Sequence, residues 1–96
     1  MTPEAAAFLG KARAALGKAD GMLDRCPNEA GREAYLAGLH AAQALILEIT
    51  GKLAKSHRGV QSELGRLSRV DPELRAFLSR TYQLKAIAET GELNFS

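Results

Sequence analysis

The most constraining feature of this chain is a long helical pattern over residues 32–50. Its apolar side chains recur at three- and four-residue steps, which places them on one face of an α-helix. They are Tyr35, Leu39, Ala42, Ile46 and Ile49, with Leu36 and Leu47 widening the stripe. Gly51 follows as a C-terminal stop. Because so wide an apolar arc must be covered by other helices, the pattern predicts the central helix of a bundle.

Composition agrees with an all-α fold. Ala and Leu dominate, Val and Ile are scarce and Trp is absent, which favours helices over sheets. The 96 residues are enough for one domain, 1–96, with one modest core. Within it, residues 91–96 are expected to form a flexible tail.

Capping signals predict two helices before the middle of the chain. Thr2 and Pro3 start a first helix that extends to about residue 24, before the break at Cys26-Pro27. Asn28 is then the predicted N-cap of the central helix. The predicted apolar stripe of the first helix comprises Phe8, Ala12, Ala15, Leu16, Ala19, Met22 and Leu23.

Two shorter helices follow. Ser56 is the best N-cap for a third helix, with Val60, Leu64 and Leu67 on its apolar side. Asp71, followed by proline and an acid, caps a fourth helix that continues to about Glu89 and ends before Gly91. Short connectors favour antiparallel neighbours. The predicted fold class is therefore an antiparallel four- to five-helix up-down bundle.

Glycines mark the opposite face of the first helix, at Gly10, Gly17 and Gly21. A glycine inside a helix costs roughly 1 kcal/mol relative to alanine. One reading is a smooth surface that another helix or subunit approaches closely. The other reading is a compositional bias toward Gly and Ala.

Charge restricts the partners only weakly, since the net charge is +2. The second half is nevertheless basic, which suits a polyanionic partner, although charges along helices also commonly form a solvated face. The basic residues there are Lys52, Lys55, Arg58, Arg66, Arg69, Arg75, Arg80 and Lys85, against Glu63, Asp71 and Glu73.

Several classes of protein are disfavoured. The longest apolar run is too short to cross a bilayer, and the N-terminus lacks the order of a signal peptide, so we expect no membrane association. The single cysteine, Cys26, cannot form an internal disulfide, which makes the cytoplasm the expected location. Two histidines without clustered acids or cysteines predict no metal site, and no cofactor motif is present.

Lys85 is out of place on the fourth helix, because it points within roughly 20° of Leu74 in the apolar arc. Such a lysine must snorkel, pair with an acid or reach a polar seam. Glu89 is one turn away, and Gln43 and Thr50 are the expected members of that seam. The alternative is contact with a ligand.

Three segments resemble short bacterial and archaeal HEPN-domain proteins. Tyr35-Leu-Ala-Gly-Leu-His-Ala-Ala-Gln-Ala-Leu resembles the family's Tyr-Tyr-Ala-x-Phe-His-Ala-Ala-x-Ala-Leu helix. Lys55-Ser-His-Arg-Gly-Val60 is similar to its Lys-Thr-His-x-Gly-Val turn, and Lys85-Ala-Ile-Ala-Glu-Thr-Gly91 to its closing Arg-x-x-Ala-Asp-Tyr-Gly. The segments occur in the family's order.

The resemblance implies a HEPN-like bundle that forms a homodimer and associates with nucleotides or RNA. It also implies a toxin–antitoxin-like system with a small nucleotidyltransferase as protein partner. Active members cleave RNA without a metal, using an arginine and a histidine four to six residues apart. Imidazole can exchange protons near neutral pH, and guanidinium can hold the scissile phosphate.

The candidate catalytic residues here are Arg32, His40 and Tyr35. They depart from the family pattern, because seven residues separate Arg32 from His40 and Glu33 stands at the usual arginine position. On a helix the two side chains lie about 80° apart in direction and roughly 12 Å apart along the axis. The intact nuclease motif is therefore absent. The candidate ligand-binding residues are Lys55, His57, Arg58 and Lys85.

Three functions stay open at this point. The first is a HEPN-type module that binds a nucleotide, RNA or a nucleotidyltransferase partner. The second is a metal-independent endoribonuclease that uses Arg32 and His40. The third is a structural interaction bundle that oligomerises through the glycine face of the first helix.

Overall fold

The computed structural model describes residues 1–67 and 72–90, with side chains of the last helix described through residue 82. These ranges hold four helices and no strand, which confirms an all-α bundle. The helices are α1 (Pro3–Met22), α2 (Pro27–Thr50), α3 (His57–Arg66) and α4 (Pro72–Thr90). The predicted cap at Asp71, stop at Gly91 and tail over 91–96 lie outside the described residues.

The expected capping contacts are present at three of the predicted helix boundaries. The Thr2 hydroxyl accepts a hydrogen bond from the Ala5 amide at 3.2 Å, and the Ser56 hydroxyl accepts one from the Gly59 amide at 2.9 Å. Gly51 adopts a left-handed φ of 73° and donates its amide to the Leu47 carbonyl. A φ in this range favours glycine, so α2 ends where the sequence predicts.

The predicted cap at Asn28 is wrong. Helix α2 begins at Pro27, and Cys26 occupies the N-cap position without a side-chain hydrogen bond. Proline suits the first helical position because its φ is already helical and it has no amide hydrogen to satisfy. Asn28 therefore lies inside the first turn. Helix α1 ends at Met22, before the expected end near residue 24.

Helix α2 is the centre of the bundle because it is covered on two opposite faces. Tyr35, Ala42 and Ile46 belong to the core that it shares with α3 and α4. Ala30 and Ala44 lie on the opposite side and are also buried. Among the described helices, α1 packs against α2 alone. The α1–α2 contact is therefore a separate layer, added to the core on the other side.

An alanine seam joins α1 to α2. Contacts of Thr2 with Glu48 and of Phe8 with His40 show that the two helices run antiparallel. This register sets buried alanines of α1, which recur every seven residues, opposite alanines of α2 with the same spacing. On α1 these are Ala5, Ala12 and Ala19, all buried; on α2 they are Ala30, Ala37 and Ala44, of which Ala30 and Ala44 are buried. Small side chains at each level allow the helix backbones to approach closely.

Some residues of the predicted stripes are exposed. Leu16 of α1 and Leu23, which follows its last residue, are 61% and 62% exposed, and Ile49 of α2 is 50% exposed. The predicted stripe of α1 was too wide, because the buried seam follows the alanines and no other described helix covers the flank that carries Leu16. Ile49 lies in the last turn of α2.

Gly38 sets the distance between α2 and α4. A Cβ atom at Gly38 would lie 2.6 Å from Cε1 of Phe77 and 3.2 Å from Cδ2 of Leu78. Tyr35, one turn earlier on α2, packs against Tyr82, which is later on α4. These two helices are therefore antiparallel, and the Phe77 ring occupies the space that a side chain at position 38 would need.

The connector between α2 and α3 turns back along α2. Gln43 donates a hydrogen bond to the Ala54 carbonyl at 2.9 Å, and Tyr35 meets His57 at the start of α3. Helix α3 thus begins beside the first half of α2 and follows its direction. The expectation that all sequential neighbours are antiparallel is wrong for this pair, because an extended connector can span several helical turns in a few residues.

Replacing Gly38 with alanine should destabilise the bundle by roughly 1–3 kcal/mol, because Phe77 and Leu78 must move. Gly10→Ala is the matched control, since a Cβ there meets nothing within 4 Å. It should stabilise the chain by about 0.5–1 kcal/mol through helix propensity. Urea unfolding followed by circular dichroism measures both changes. Equal signs for the two substitutions would contradict the proposed role of Gly38.

Candidate functional site

An open groove of about 400 Å³ lies between α3 and α4. Its described lining contains two arginines, a histidine and two neutral polar side chains, and none of these residues is acidic. They are His57, Arg58, Gln61, Arg75, Ala76 and Ser79. The groove therefore combines positive charge with hydrogen-bonding groups, as a site for an anionic ligand requires.

The N-terminus of α3 opens at one end of this groove. Ser56 caps it by accepting from Gly59, while His57 and Arg58 occupy its first two positions. Backbone amides in the first turn lack partners within a helix, and the helix dipole adds partial positive charge there. Arg58 is exposed and has no ion-pair partner among the described residues. These features place positive potential at the end of the groove that holds both residues.

Gln61 of α3 is hydrogen-bonded to Arg75 and Ser79 of α4, which form the other wall of the groove. The amide nitrogen of Gln61 donates to the Arg75 carbonyl at 3.0 Å and to the Ser79 hydroxyl at 2.9 Å. Arg75 in turn donates its Nε to the Gln61 side-chain oxygen at 3.4 Å. Its guanidinium lies over Gly65, where a Cβ would be only 3.2 Å away. Gln61 therefore orients Arg75 along the groove.

His57 belongs to an aromatic cluster with Tyr35 and Tyr82. The Tyr35 hydroxyl and His57 Nδ1 are 2.9 Å apart, and the His57 ring stacks on Tyr82 with centroids 4.3 Å apart. Tyr35 also meets Tyr82 edge to face at 5.5 Å. The imidazole is thus fixed by a hydrogen bond and by stacking. Through His57, the buried Tyr35 of α2 is connected to the groove.

Burial changes the chemistry of Tyr35. The side chain is 1% exposed, and this desolvation, together with the neighbouring Tyr82 hydroxyl, raises the pKa of Tyr35 to about 12. An ionised phenol is disfavoured there because charge is costly away from water. Tyr35 therefore keeps its proton at neutral pH and serves His57 as a hydrogen-bonding group.

His40 belongs to a different network, on the α1 side of α2. Its Nδ1 lies 2.8 Å from the Gln43 side-chain oxygen, and Gln43 donates its nitrogen to the Ala54 carbonyl. A carbonyl can only accept, so the amide orientation is determined and Nδ1 of His40 carries a hydrogen. Phe8 of α1 lies over the imidazole with centroids 6.1 Å apart. In the neutral ring, Nε2 then carries the lone pair.

The three candidate catalytic residues contact different partners. Arg32 forms an ion pair with Glu33 at 3.4 Å, His40 binds Gln43, and Tyr35 binds His57. Eight positions along one straight helix keep Arg32 and His40 roughly 12 Å apart along its axis. Within one chain the structure therefore joins Tyr35 to the predicted ligand-binding set through His57, while His40 belongs to the separate network of Gln43.

The predicted ligand-binding residues are only partly brought together. His57 and Arg58 both line the groove. Lys55 is exposed in the connector and is not part of the lining. The side chain of Lys85 lies outside the described residues. Of its expected partners, Gln43 binds His40 and Ala54, while Thr50 bonds to Ile46 of its own helix.

Three polar residues of the groove were not among the predicted site residues: Gln61, Arg75 and Ser79. A sequence signal for them exists, because Gln61 is four residues after His57 and Ser79 is four residues after Arg75. This spacing places each pair on one helix face. Identifying the site also requires knowing that the two faces oppose each other, which the one-dimensional pattern does not provide.

Comparison with protein-family models, curated proteins and solved structures finds no significant match. No helix in the described part of the chain is both long and apolar enough to cross a membrane. Residues 1–67 and the described portion of α4 contain no group of three or more potential metal-ligating side chains. The geometry of the groove is therefore the basis for a functional assignment.

The raised pKa of Tyr35 predicts a loss of stability at alkaline pH. The unfolded chain ionises this phenol near pH 10.0, whereas the folded chain retains the proton until about 12. Stability from this group is therefore present below pH 10.0 and falls as pH rises toward 12. The loss should be on the order of 2 kcal/mol. Denaturant unfolding across this range should show a shallower decline for Tyr35→Phe, and an unchanged decline would contradict the assignment.

Proposed function

We propose that this chain is a HEPN-type helical module that binds phosphate groups of a nucleotide or of RNA in the α3–α4 groove. The observation that carries the proposal is the convergence of Arg58 and Arg75, from different helices, on one groove whose described lining has no acidic residue. The similarity of residues 55–60 to the family's Lys-Thr-His-x-Gly-Val turn supports the same location. That resemblance extends the proposal to a toxin–antitoxin-like pairing with a nucleotidyltransferase-type partner.

Guanidinium groups suit this role because they remain charged and can donate two parallel hydrogen bonds to a phosphate. Arg58 is at the N-terminus of α3, where helix amides and dipole also favour an anion. Arg75 approaches from α4 and is oriented by Gln61. Arg58 and Arg75 would thus contact one ligand from both walls of the groove.

The size and openness of the groove favour a flexible or extended ligand. Its volume of about 400 Å³ is within the usual range for small-molecule sites, roughly 300–1,000 Å³. His57 and Ser79 provide further hydrogen-bonding groups next to the two arginines. Such a site can bind a nucleotide, or one segment of a longer single strand that continues along the surface.

Fluorescence anisotropy with labelled single-stranded RNA, and with a labelled nucleoside triphosphate, tests the proposal. Arg58→Ala and Arg75→Ala should each weaken binding about tenfold, because each removes charge-assisted hydrogen bonds to phosphate. Affinity should also fall steeply as salt is raised. Arg25→Ala is a suitable control, since Arg25 is exposed in the turn between α1 and α2.

Circular dichroism of each variant shows whether the helices persist. Binding that is equally weakened by Arg25→Ala would indicate general charge attraction and contradict a site in the groove. Absence of binding to both probes at low salt would overturn the ligand part of the proposal.

One observation favours a second candidate, a metal-independent ribonuclease. The hydrogen bond to Gln43 holds His40 in the tautomer whose Nε2 can accept a proton. A phosphate-holding arginine would then have to come from Arg32 or from a second subunit, since Arg32 and His40 are widely separated along α2.

Incubation of purified protein with RNA in a chelator tests this candidate. If the chain is such an enzyme, cleavage should occur and fall at least a hundredfold in His40→Ala, which removes the proton acceptor. Gln43→Ala, which removes the acceptor for His40 Nδ1, should lower activity less than His40→Ala, because the imidazole itself is retained. Cleavage that survives in His40→Ala would contradict a role for His40.

A further inference from the structure

The face of α4 that lines the groove continues along the helix to an exposed aromatic ring. Arg75, Ser79 and Tyr82 are related as i, i+4 and i+7, so their side chains leave the helix within about 60° of each other. Arg75 and Ser79 line the groove, and Tyr82 follows Arg75 by roughly 10 Å along the helix axis. Tyr82 is 41% exposed. A ligand that contacts Arg75 can therefore reach an aromatic surface on the same face of α4.

The Tyr82 ring is held in a fixed orientation by two other rings. It stacks on His57 with centroids 4.3 Å apart and planes 22° apart, and Tyr35 meets it edge to face. The Tyr35 centroid is 5.5 Å from that of Tyr82 and 5.6 Å from that of His57. Because these two distances are nearly equal, Tyr35 lies beside the stack and not over the outer face of either ring. The stack can therefore be extended at its Tyr82 end.

His57 joins this stack to the groove, because the same imidazole lines the groove and packs on Tyr82. Two kinds of surface are thus adjacent. The guanidinium groups of Arg58 and Arg75 suit phosphate, and the aromatic ring suits a flat, unsaturated ring system. A nucleotide carries both of these chemical parts, whereas inorganic polyphosphate carries only the first.

We infer that Tyr82 selects base-bearing ligands in this site, by stacking on one unpaired base while Arg58 and Arg75 contact the phosphates. The inference rests on the proposed function and adds recognition of the base to it. Because His57 and Tyr35 already hold the Tyr82 ring, little conformational freedom is lost when a base binds. Stacking is tolerant of base identity, since every base has a π-face. The ligand class is therefore a nucleotide unit with an unpaired base, either free or within a single strand.

Two matched pairs of probes separate the contribution of the base from that of the phosphates. The first pair is a single-stranded oligoribonucleotide and an abasic strand of the same length, and the second is ATP and inorganic tripolyphosphate. Isothermal titration calorimetry at one low salt concentration gives the four dissociation constants. The base-bearing probe should bind about tenfold more tightly than its partner. A preference in only one pair supports the inference and distinguishes a strand from a free nucleotide as the ligand.

Substitutions at Tyr82 assign this preference to one side chain. Tyr82→Leu keeps an apolar side chain but removes the ring, so it should weaken the base-bearing probes about tenfold and the two base-free probes by less than about twofold. The conservative variant Tyr82→Phe keeps the ring and should restore the preference for a base. Arg75→Ala should instead weaken both members of each pair. Far-UV circular dichroism checks that each variant keeps its helices.

Tyrosine emission reports the stacking contact directly, because the chain has no tryptophan and only two tyrosines, Tyr35 and Tyr82. A base stacked on Tyr82 should quench this emission, whereas the abasic strand and tripolyphosphate should not. Tyr82→Phe should still bind but lose most of the quenching, because only the buried Tyr35 then emits.

Equal affinities within both pairs, together with weaker binding in Arg75→Ala, would overturn the role of Tyr82 and leave the phosphate site in place. A base preference that persists in Tyr82→Leu would overturn the assignment to this residue. Failure of all four probes to bind at low salt would overturn the proposed function and this inference with it.

Discussion

The architecture depends on the burial of α2 on two opposite faces. On one side Tyr35 and Ile46 pack into the core shared with α3 and α4. On the other side the alanine seam lets α1 lie close to the same helix. This division gives α2 two distinct tasks, because large side chains fill the core while small ones set a helix-to-helix distance. It also leaves α1 with a flank that nothing else in the described chain covers.

The position of the candidate site follows from α2 through two hydrogen bonds. Gln43 holds the returning connector at Ala54, and Tyr35 holds His57 at the start of α3. Together they place the N-terminus of α3 beside α4 and bring Arg58 to the groove that contains Arg75. The buried side chains of Tyr35 and Gln43 on α2 therefore find their hydrogen-bond partners in the connector and at the start of α3. The same hydrogen bonds stabilise the fold and position the site.

The sequence by itself determined the helices, because capping residues and apolar periodicity act locally: Thr2, Ser56 and Gly51 perform the roles that their positions predict. It also singled out His57 and Arg58 as candidate ligand-binding residues, and both line the groove. Tertiary structure alone decided that α3 follows the direction of α2, that Leu16 stays exposed, and that Arg75 completes the groove. These outcomes depend on which helix faces meet and on a connector folded back through Gln43. Such contacts join residues distant in the chain, and helical periodicity carries no information about them.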